Sequence, residues 1–152
     1  MENLSHLTFN LAGLKVKFIG DDSVFCLHPA RNFLNFLSAD PADVILKIHG
    51  GSCPHLQLGT PVFRATNWTL SLLEDQVIIH LNFTANPSIH PIQTIALHLD
   101  GTRGDAWIAP DLLQNTPFMV PPALLDELLA VYLLARGWGV MLHASGIQTG
   151  AG

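Results

Sequence analysis

Two apolar segments separated by a three-residue turn most strongly limit what this chain can fold into. Trp68 to Leu73 is followed by Glu74-Asp75-Gln76 and then by Val77 to Phe83. This arrangement predicts a β-hairpin, because apolar residues recur with the period of two that is typical of a strand. In the second segment apolar side chains occupy both faces. We therefore expect a central strand of a sheet that is packed on both sides.

The rest of the first 120 residues has the same character of short strands separated by turns. The pattern predicts strands over 7–11, 14–19, 23–27, 44–48, 94–99 and 106–109. Ala12-Gly13 indicates a hairpin between the first two. Helical spacing of apolar residues predicts a short helix over 30–37, and Gly, Pro and Ser predict loops over 50–60 and 84–91.

The pattern changes at Pro121-Pro122, which marks the start of a long helix with Asp126 and Glu127 in its first part. Arg136-Gly137 marks its end. The helix is apolar nearly all round, which predicts burial on several sides, and it leads into a strand over 140–147. The expected fold class is therefore α+β, with a mostly antiparallel β-rich module over 1–120 and a helix-and-strand segment over 121–152.

Composition restricts the function classes. The chain has 152 residues, 49% of them hydrophobic, with a formal net charge of −5. No run of Lys or Arg offsets this charge locally, so we expect no nucleic-acid partner. Charged residues make up 12% of the chain, where about a quarter is usual in soluble domains. This deficit predicts that part of the surface is covered by a partner.

The cysteines and the apolar tracts indicate the cellular compartment in which we expect the protein. Cys26 and Cys53 do not form a disulfide framework, which favours a reducing environment. Residues 1–6 lack the features of a signal peptide. The apolar tract over 124–140 contains Asp126, Glu127 and Arg136 and is too short and too charged to cross a membrane. We expect a cytoplasmic protein without membrane contact.

Histidines supply the remaining candidates for chemistry. His49, Cys53 and His55 lie close together in a predicted loop, but their spacing matches none of the paired zinc arrangements. The sequence leaves open whether they bind a metal, and we assign no metal ligands. His80 and His98 lie inside predicted strands, where a hydrogen-bonded structural role is expected. No nucleophile-elbow pattern occurs.

The segment from Leu124 to Gly146 resembles the region that precedes the catalytic core of HPr kinase-related proteins. These are P-loop serine kinases related to HPr kinase/phosphorylase. In that family a buried helix ends in a Gly-containing turn, and a strand with the sequence Leu-His-Ala-Ser-Gly follows, here Leu142 to Gly146. A hairpin and a second strand then run into the phosphate loop G-x-x-x-x-G-K-[ST]. Gly150-Ala151-Gly152 fits the hairpin turn.

The resemblance implies a family that uses ATP and magnesium, yet the parts that hold them are missing from these residues. Residues 146–152 contain glycines but no Lys at the required spacing, and phosphoryl transfer depends on such groups for positioning and charge neutralisation. We expect the chain to stop before the phosphate loop, to bind no cofactor and to be inactive by itself. His143 is the single catalytic position that the resemblance carries over.

The resemblance therefore predicts a non-catalytic N-terminal portion of an ATP-dependent protein serine kinase that acts in core packing or acceptor recognition. Its partners would be the kinase core or a protein or peptide that carries an acceptor serine. An alternative is a stand-alone binding or assembly module that self-associates through strand 140–147, because an unpaired apolar strand is a template for pairing. A third interpretation is a metal-dependent hydrolase that uses His49, Cys53 and His55.

Overall fold

The computed structural model describes residues 5–11, 13–21, 27–29, 31–51, 53, 59–66, 68–81, 93–109 and 118–120. The chain divides into two compact units, Met1–Pro122 and Ala123–Gly152. Every described residue belongs to the first unit. The predicted helix over 121–136, the strand over 140–147 and His143 lie outside the described residues.

The described part consists of strands and one short 3₁₀ helix, Arg31–Phe36. The strands are β1 His6–Leu11, β2 Leu14–Gly20, β3 Leu27–Pro29, β4 Val44–Gly50, β5 Thr60–Arg64, β6 Trp68–Leu73, β7 Gln76–Leu81, β8 Gln93–His98, β9 Arg103–Ile108 and β10 Phe118–Val120.

Eight of these strands form one mixed sheet in the order β1-β2-β4-β9-β8-β7-β6-β5. In its middle, β4 pairs in parallel with β2 on one side and with β9 on the other. All other neighbours in this sheet are antiparallel. β3 and β10 form a separate parallel pair.

One face of this sheet carries the core. In β2 and β4 the even-numbered side chains are buried and the odd-numbered ones are not, as the two-residue period of a strand requires. Phe9 and Phe18 pack edge to face, with ring centroids 5.8 Å apart. Each such buried side chain contributes about 1.5–3 kcal/mol to stability. The largest fully buried side chains include Phe9, Phe18, Leu46, Ile48, Ile79, Ile95 and Ile108.

The strands β7 and β8 are buried on both faces. Ile78 and Ile79 point to opposite sides of β7 and are 1% and 0% exposed. Thr94 and Ile95 show the same two-sided burial in β8. The prediction of a central strand packed on both sides, in the second arm of the hairpin at Glu74-Asp75, is confirmed.

The predicted fold class, α+β with one long buried helix, is wrong. Most of the described residues lie in strands, eight of these strands form one mixed sheet, and no α-helix occurs among the described residues. The parallel pairs at the centre of the sheet join strands that are distant in sequence, and strand periodicity carries no information on strand direction. The helix expected over 30–37 is a single 3₁₀ helix, in which Phe33 contacts Phe9.

Individual strands were predicted more accurately than their assembly. The hairpin at Ala12-Gly13 and the strand over 44–48 are confirmed. Of the strand expected over 23–27, Leu27 lies in β3, and 23–26 lie outside the described residues. The predicted loop over 50–60 ends in β5, which begins at Thr60 and was not predicted.

Gly104 provides a test of the packing at the centre of the sheet. A Cβ atom at this position would lie 2.5 Å from the backbone oxygen of Ala96 and 3.0 Å from Cδ2 of Leu46. Since backbone cannot move aside cheaply, we expect Gly104→Ala to lower the free energy of unfolding by about 1–3 kcal/mol, measured by urea denaturation. Lys47→Ala, at an exposed position of the neighbouring strand, is the control and should change it by about 0.5 kcal/mol or less. Equal stability of the Gly104→Ala variant and the unsubstituted protein would contradict this packing.

Candidate functional site

The outer face of β2, β4 and β9 holds the candidate site. Because the even-numbered residues of these three strands are buried, their odd-numbered residues lie together on the opposite face. The register places Lys17 beside Ile45 and Ile45 beside Arg103. Two residues further along, Lys47 lies beside Asp105, and His49 then lies beside Trp107.

Three cations surround one exposed apolar side chain on this face. Lys17 and Arg103 flank Ile45 on the two neighbouring strands, and Lys47 follows Ile45 on the same face of β4. Ile45 is 38% exposed. We call these four residues, Lys17, Ile45, Lys47 and Arg103, the cationic face.

Lys17 and Lys47 form no ion pair within the described residues, whereas Arg103 interacts with the Asp100 carboxylate. The ion pairs found there are His49 with Asp105 and His98 with Asp75, and neither involves the cationic face. Arg103 lies in the field of Asp100, whose pKa is lowered by its hydrogen bonds from Thr102 and, more weakly, by nearby cations that include Arg103. The sequence showed no cluster of Lys or Arg, but the outer face of β2, β4 and β9 gathers four of the seven, Lys15 together with the three cations of the cationic face.

His49, Asp105 and Trp107 form the neighbouring part of the site. His49 Nε2 donates a hydrogen bond to Asp105 Oδ1 at 2.7 Å, and the imidazole stacks on Trp107 with ring centroids 5.4 Å apart and an interplanar angle of 24°. All three side chains are partly exposed. The hydrogen bond at Nε2 and the stacking on one face hold the ring in one orientation, and the Asp105 carboxylate is bonded to it.

An open cleft of about 510 Å³ adjoins the cationic face at Lys17. One wall is formed by His6, Leu7 and Thr8 of β1, and the other by residues 37–42. The backbone N–H of Ser38 donates to the Thr8 carbonyl at 2.9 Å, which joins the second wall to the outer edge of β1. The outer face of the sheet is thus continuous from β9 to this cleft.

The two strand histidines have the structural role that was predicted. His80 Nδ1 and Thr94 Oγ1 are hydrogen-bonded at 3.0 Å across β7 and β8. His98 Nε2 accepts a hydrogen bond from Gln76 Nε2 at 3.5 Å, and its Nδ1 lies 3.3 Å from Asp75 Oδ2. Burial lowers the pKa of His80 below its ordinary value. His80 is therefore favoured in its neutral form inside the sheet.

The structure does not bring the candidate metal ligands together within its described part. His49 is engaged by Asp105, Cys53 is buried, and His55 lies outside the described residues. No group of three or more His, Cys, Asp and Glu suited to a metal occurs among the residues that are described. His143, the catalytic position implied by the resemblance, is also outside them.

A histidine held by a carboxylate is the base-and-orienter half of many hydrolytic sites. In the described part of the chain no serine, threonine or cysteine is hydrogen-bonded to His49, and the ring is occupied on one face by Trp107. What the described residues show is a set of charges held in fixed positions on a surface. Sequence reasoning missed Lys17, Lys47, Arg103, Asp105 and Trp107; the alternation of Lys with apolar residues in β2 was the available signal.

Comparison of the chain with family models, with curated proteins and with solved structures gives no match. Membership of the HPr kinase-related family therefore stays a prediction from residues 124–146. In the part of the chain that is described, no helix has the length and apolar character needed to cross a membrane.

The lowered pKa of His80 predicts a dependence of stability on pH. The unfolded chain binds a proton at His80 at higher pH than the folded chain does, so stability rises with pH through this window. The stability that depends on neutral His80 is fully present above the ordinary histidine pKa of 6.5. It declines as the pH falls below that value. We therefore expect the free energy of unfolding to fall less in the His80→Gln variant than in the unsubstituted protein when the pH is lowered from about 7.5 to 5.5. Urea denaturation at each pH measures this difference.

Thr94→Val is the matched control for His80. This variant removes the hydrogen bond but keeps the imidazole, so it should be destabilised at all pH values and retain the pH dependence. Identical pH profiles for His80→Gln and the unsubstituted protein would contradict the assigned role of burial.

Proposed function

We propose that this chain is a non-catalytic N-terminal portion of an HPr kinase-related, ATP-dependent protein serine kinase, and that it acts in acceptor recognition. The family part of the proposal is supported by the resemblance of residues 124–146, with Leu142-His143-Ala144-Ser145-Gly146 as its most specific element. Core packing is the other role that the resemblance allows. A cytoplasmic location and a partner that carries an acceptor serine belong to the same proposal.

The single observation that favours recognition over core packing is the cationic face. One face of β2, β4 and β9 is committed to the core, whereas the other keeps Lys47 and Arg103 exposed around Ile45. Covering these charges with the apolar surface of another domain would remove their hydration without replacing it, which is costly. A partner with complementary charge offsets that cost through ion pairs with these cations.

Self-association through strand 140–147 stays a prediction, because this segment lies outside the described residues. The fold supplies no separate support for it.

The non-catalytic character is tested by nucleotide binding. No G-x-x-x-x-G-K-[ST] pattern occurs in the 152 residues, so the backbone cradle and the lysine that hold the phosphates are missing. We expect isothermal titration calorimetry with ATP and magnesium to show no saturable binding in the micromolar range. A P-loop ATPase titrated in the same buffer is the control. Saturable micromolar binding to this chain would overturn the proposal that it is non-catalytic.

The family assignment is tested separately by the gene. We expect the coding sequence beyond the codon for Gly152 to continue in frame into an apolar strand and a G-x-x-x-x-G-K-[ST] loop. This pattern is recognisable because the loop must place glycines and a lysine around the phosphates. An in-frame continuation without that loop would contradict the family, and it would leave the binding properties of the cationic face unaffected.

A further inference from the structure

We propose that the cationic face binds a short, extended, acidic segment of a partner protein. An apolar side chain of that segment lies over Ile45, and carboxylates on either side of it contact Lys17, Lys47 and Arg103. The identification of the partner as the acceptor protein rests on the proposed function, whereas the chemistry of the surface does not.

Charge is the first argument for an acidic partner. The chain carries a net charge of −5, and the carboxylates that lie close to the cationic face are hydrogen-bonded to other groups: Asp105 to His49 at 2.7 Å, Asp43 to the backbone N–H of Lys15 at 2.8 Å, and Asp100 to the backbone N–H of Thr102 at 2.9 Å. Lys17, Lys47 and Arg103 thus form a local cluster of cations on a molecule whose net charge is negative. A short segment with few carboxylates meets this local charge, while a long polyanion such as RNA would also meet the repulsion of the whole molecule.

The apolar centre of the face argues against a single phosphate as the ligand. A phosphate held by all three cations would lie over Ile45, which offers no hydrogen-bond donor in its side chain. The backbone N–H groups of β4 are engaged in the ladders with β2 and β9 and point within the sheet. Separated carboxylates on either side of an apolar contact fit this arrangement better.

The spacing of the face matches an extended chain that crosses the strands. Lys17 and Arg103 are separated by two strand spacings, which is about 9–10 Å. Alternate residues of an extended segment lie on one side about 6.6 Å apart, so carboxylates two residues before and after a central apolar residue reach outward beyond Ile45 on both sides. These two carboxylates are farther apart than the backbones of Lys17 and Arg103. The long side chains of both residues can extend outward to reach them.

The cleft beside Lys17 gives the segment a path beyond the cationic face. It continues the line from β9 through β4 and β2 across β1, where His6 and Thr8 meet residues 37–42. Residues that flank the acidic centre of the segment can lie there without crossing the buried part of the sheet.

His49 acts as a positioning residue for this surface. Lys47 and Asp105 are direct neighbours in register, so Asp105 would pair with Lys47 if it were released from His49. The hydrogen bond from His49 Nε2, whose ring is held by stacking on Trp107, engages one oxygen of this carboxylate. Lys47 therefore stays available to the partner.

The test uses the full chain and a fluorescein-labelled peptide of about nine residues, with Glu at alternate positions and Leu at the centre. Binding is measured by fluorescence anisotropy. We expect saturable binding that weakens between about 50 and 300 mM NaCl. The same peptide with Gln in place of Glu, or with Gly in place of the central Leu, should bind at least about fivefold more weakly. Failure of the Glu peptide to bind at millimolar concentration overturns the proposal.

Two double variants locate the surface. Lys47→Glu with Arg103→Glu reverses two charges of the cationic face, and Arg31→Glu with Arg64→Glu makes the same change in net charge elsewhere. All four side chains are exposed, so both double variants should fold, which far-ultraviolet circular dichroism checks. We expect the first to bind at least about tenfold more weakly than the second. Equal losses in the two would show that only net charge matters and would overturn the proposal.

His49 is tested by rescue. We expect His49→Ala to weaken peptide binding about two- to fivefold by letting Asp105 neutralise Lys47, and Asp105→Ala in the same chain to restore it. A purely structural role of His49 would make Asp105→Ala strengthen binding by the same factor in the unsubstituted chain and in the His49→Ala variant, whereas a positioning role predicts a larger factor in the variant. Tighter binding of inorganic phosphate or of an RNA oligonucleotide than of the Glu peptide would replace the proposed partner, whereas ATP–magnesium binding would contradict only the non-catalytic assignment.

Discussion

The burial of one face of β2, β4 and β9 is the constraint on which the rest of the structure depends. β4 lies between two parallel neighbours, and its side chains Leu46 and Ile48 reach the core together with Phe18 of β2 and Ala106 of β9. A strand has a side-chain period of two, so a shift of register by one residue would place these apolar groups in water. The packing of this face therefore sets the register of all three strands.

The polar face follows from the same constraint. Once Leu46 and Ile48 point into the core, Ile45, Lys47 and His49 must point outward, and the neighbouring strands contribute Lys17 and Arg103 on the same side. No contact between the cations is needed to bring them together. The hydrophobic core thus assembles a charged surface as a consequence of its own register.

The cationic face is prominent because the chain carries few charges. Only seven Lys and Arg occur in the chain, and the acidic side chain nearest to the cationic face in register is bonded to His49. On a surface that is densely charged, three cations would be compensated by their neighbours. Here the compensation within the described residues is incomplete, which makes the face suited to a partner of opposite charge.

Local patterns accounted for the strands but not for their arrangement. The hairpin at Glu74-Asp75 and the two-sided burial of β7 were predictable, because both follow from the order of residues within a few positions of each other. The strand β5 was not predicted. All five of its residues are exposed, so it has no buried side that an alternation of apolar and polar residues would mark in the sequence. The mixed character of the sheet was not predicted, because the local sequence of β2, β4 or β9 does not indicate which strand it pairs with or in which direction.

The sequence by itself determined where most strands lie, which of their residues face the core, and that His80 and His98 are structural; it also carries the resemblance in residues 124–146. Only the tertiary structure decided that β2, β4 and β9 are neighbours, and hence that Lys17, Lys47 and Arg103 meet around Ile45 while His49 holds Asp105. Alternation is a local property of the chain, whereas strand order depends on the packing of segments far apart in sequence. A charge cluster assembled in this way leaves no run of basic residues to be found.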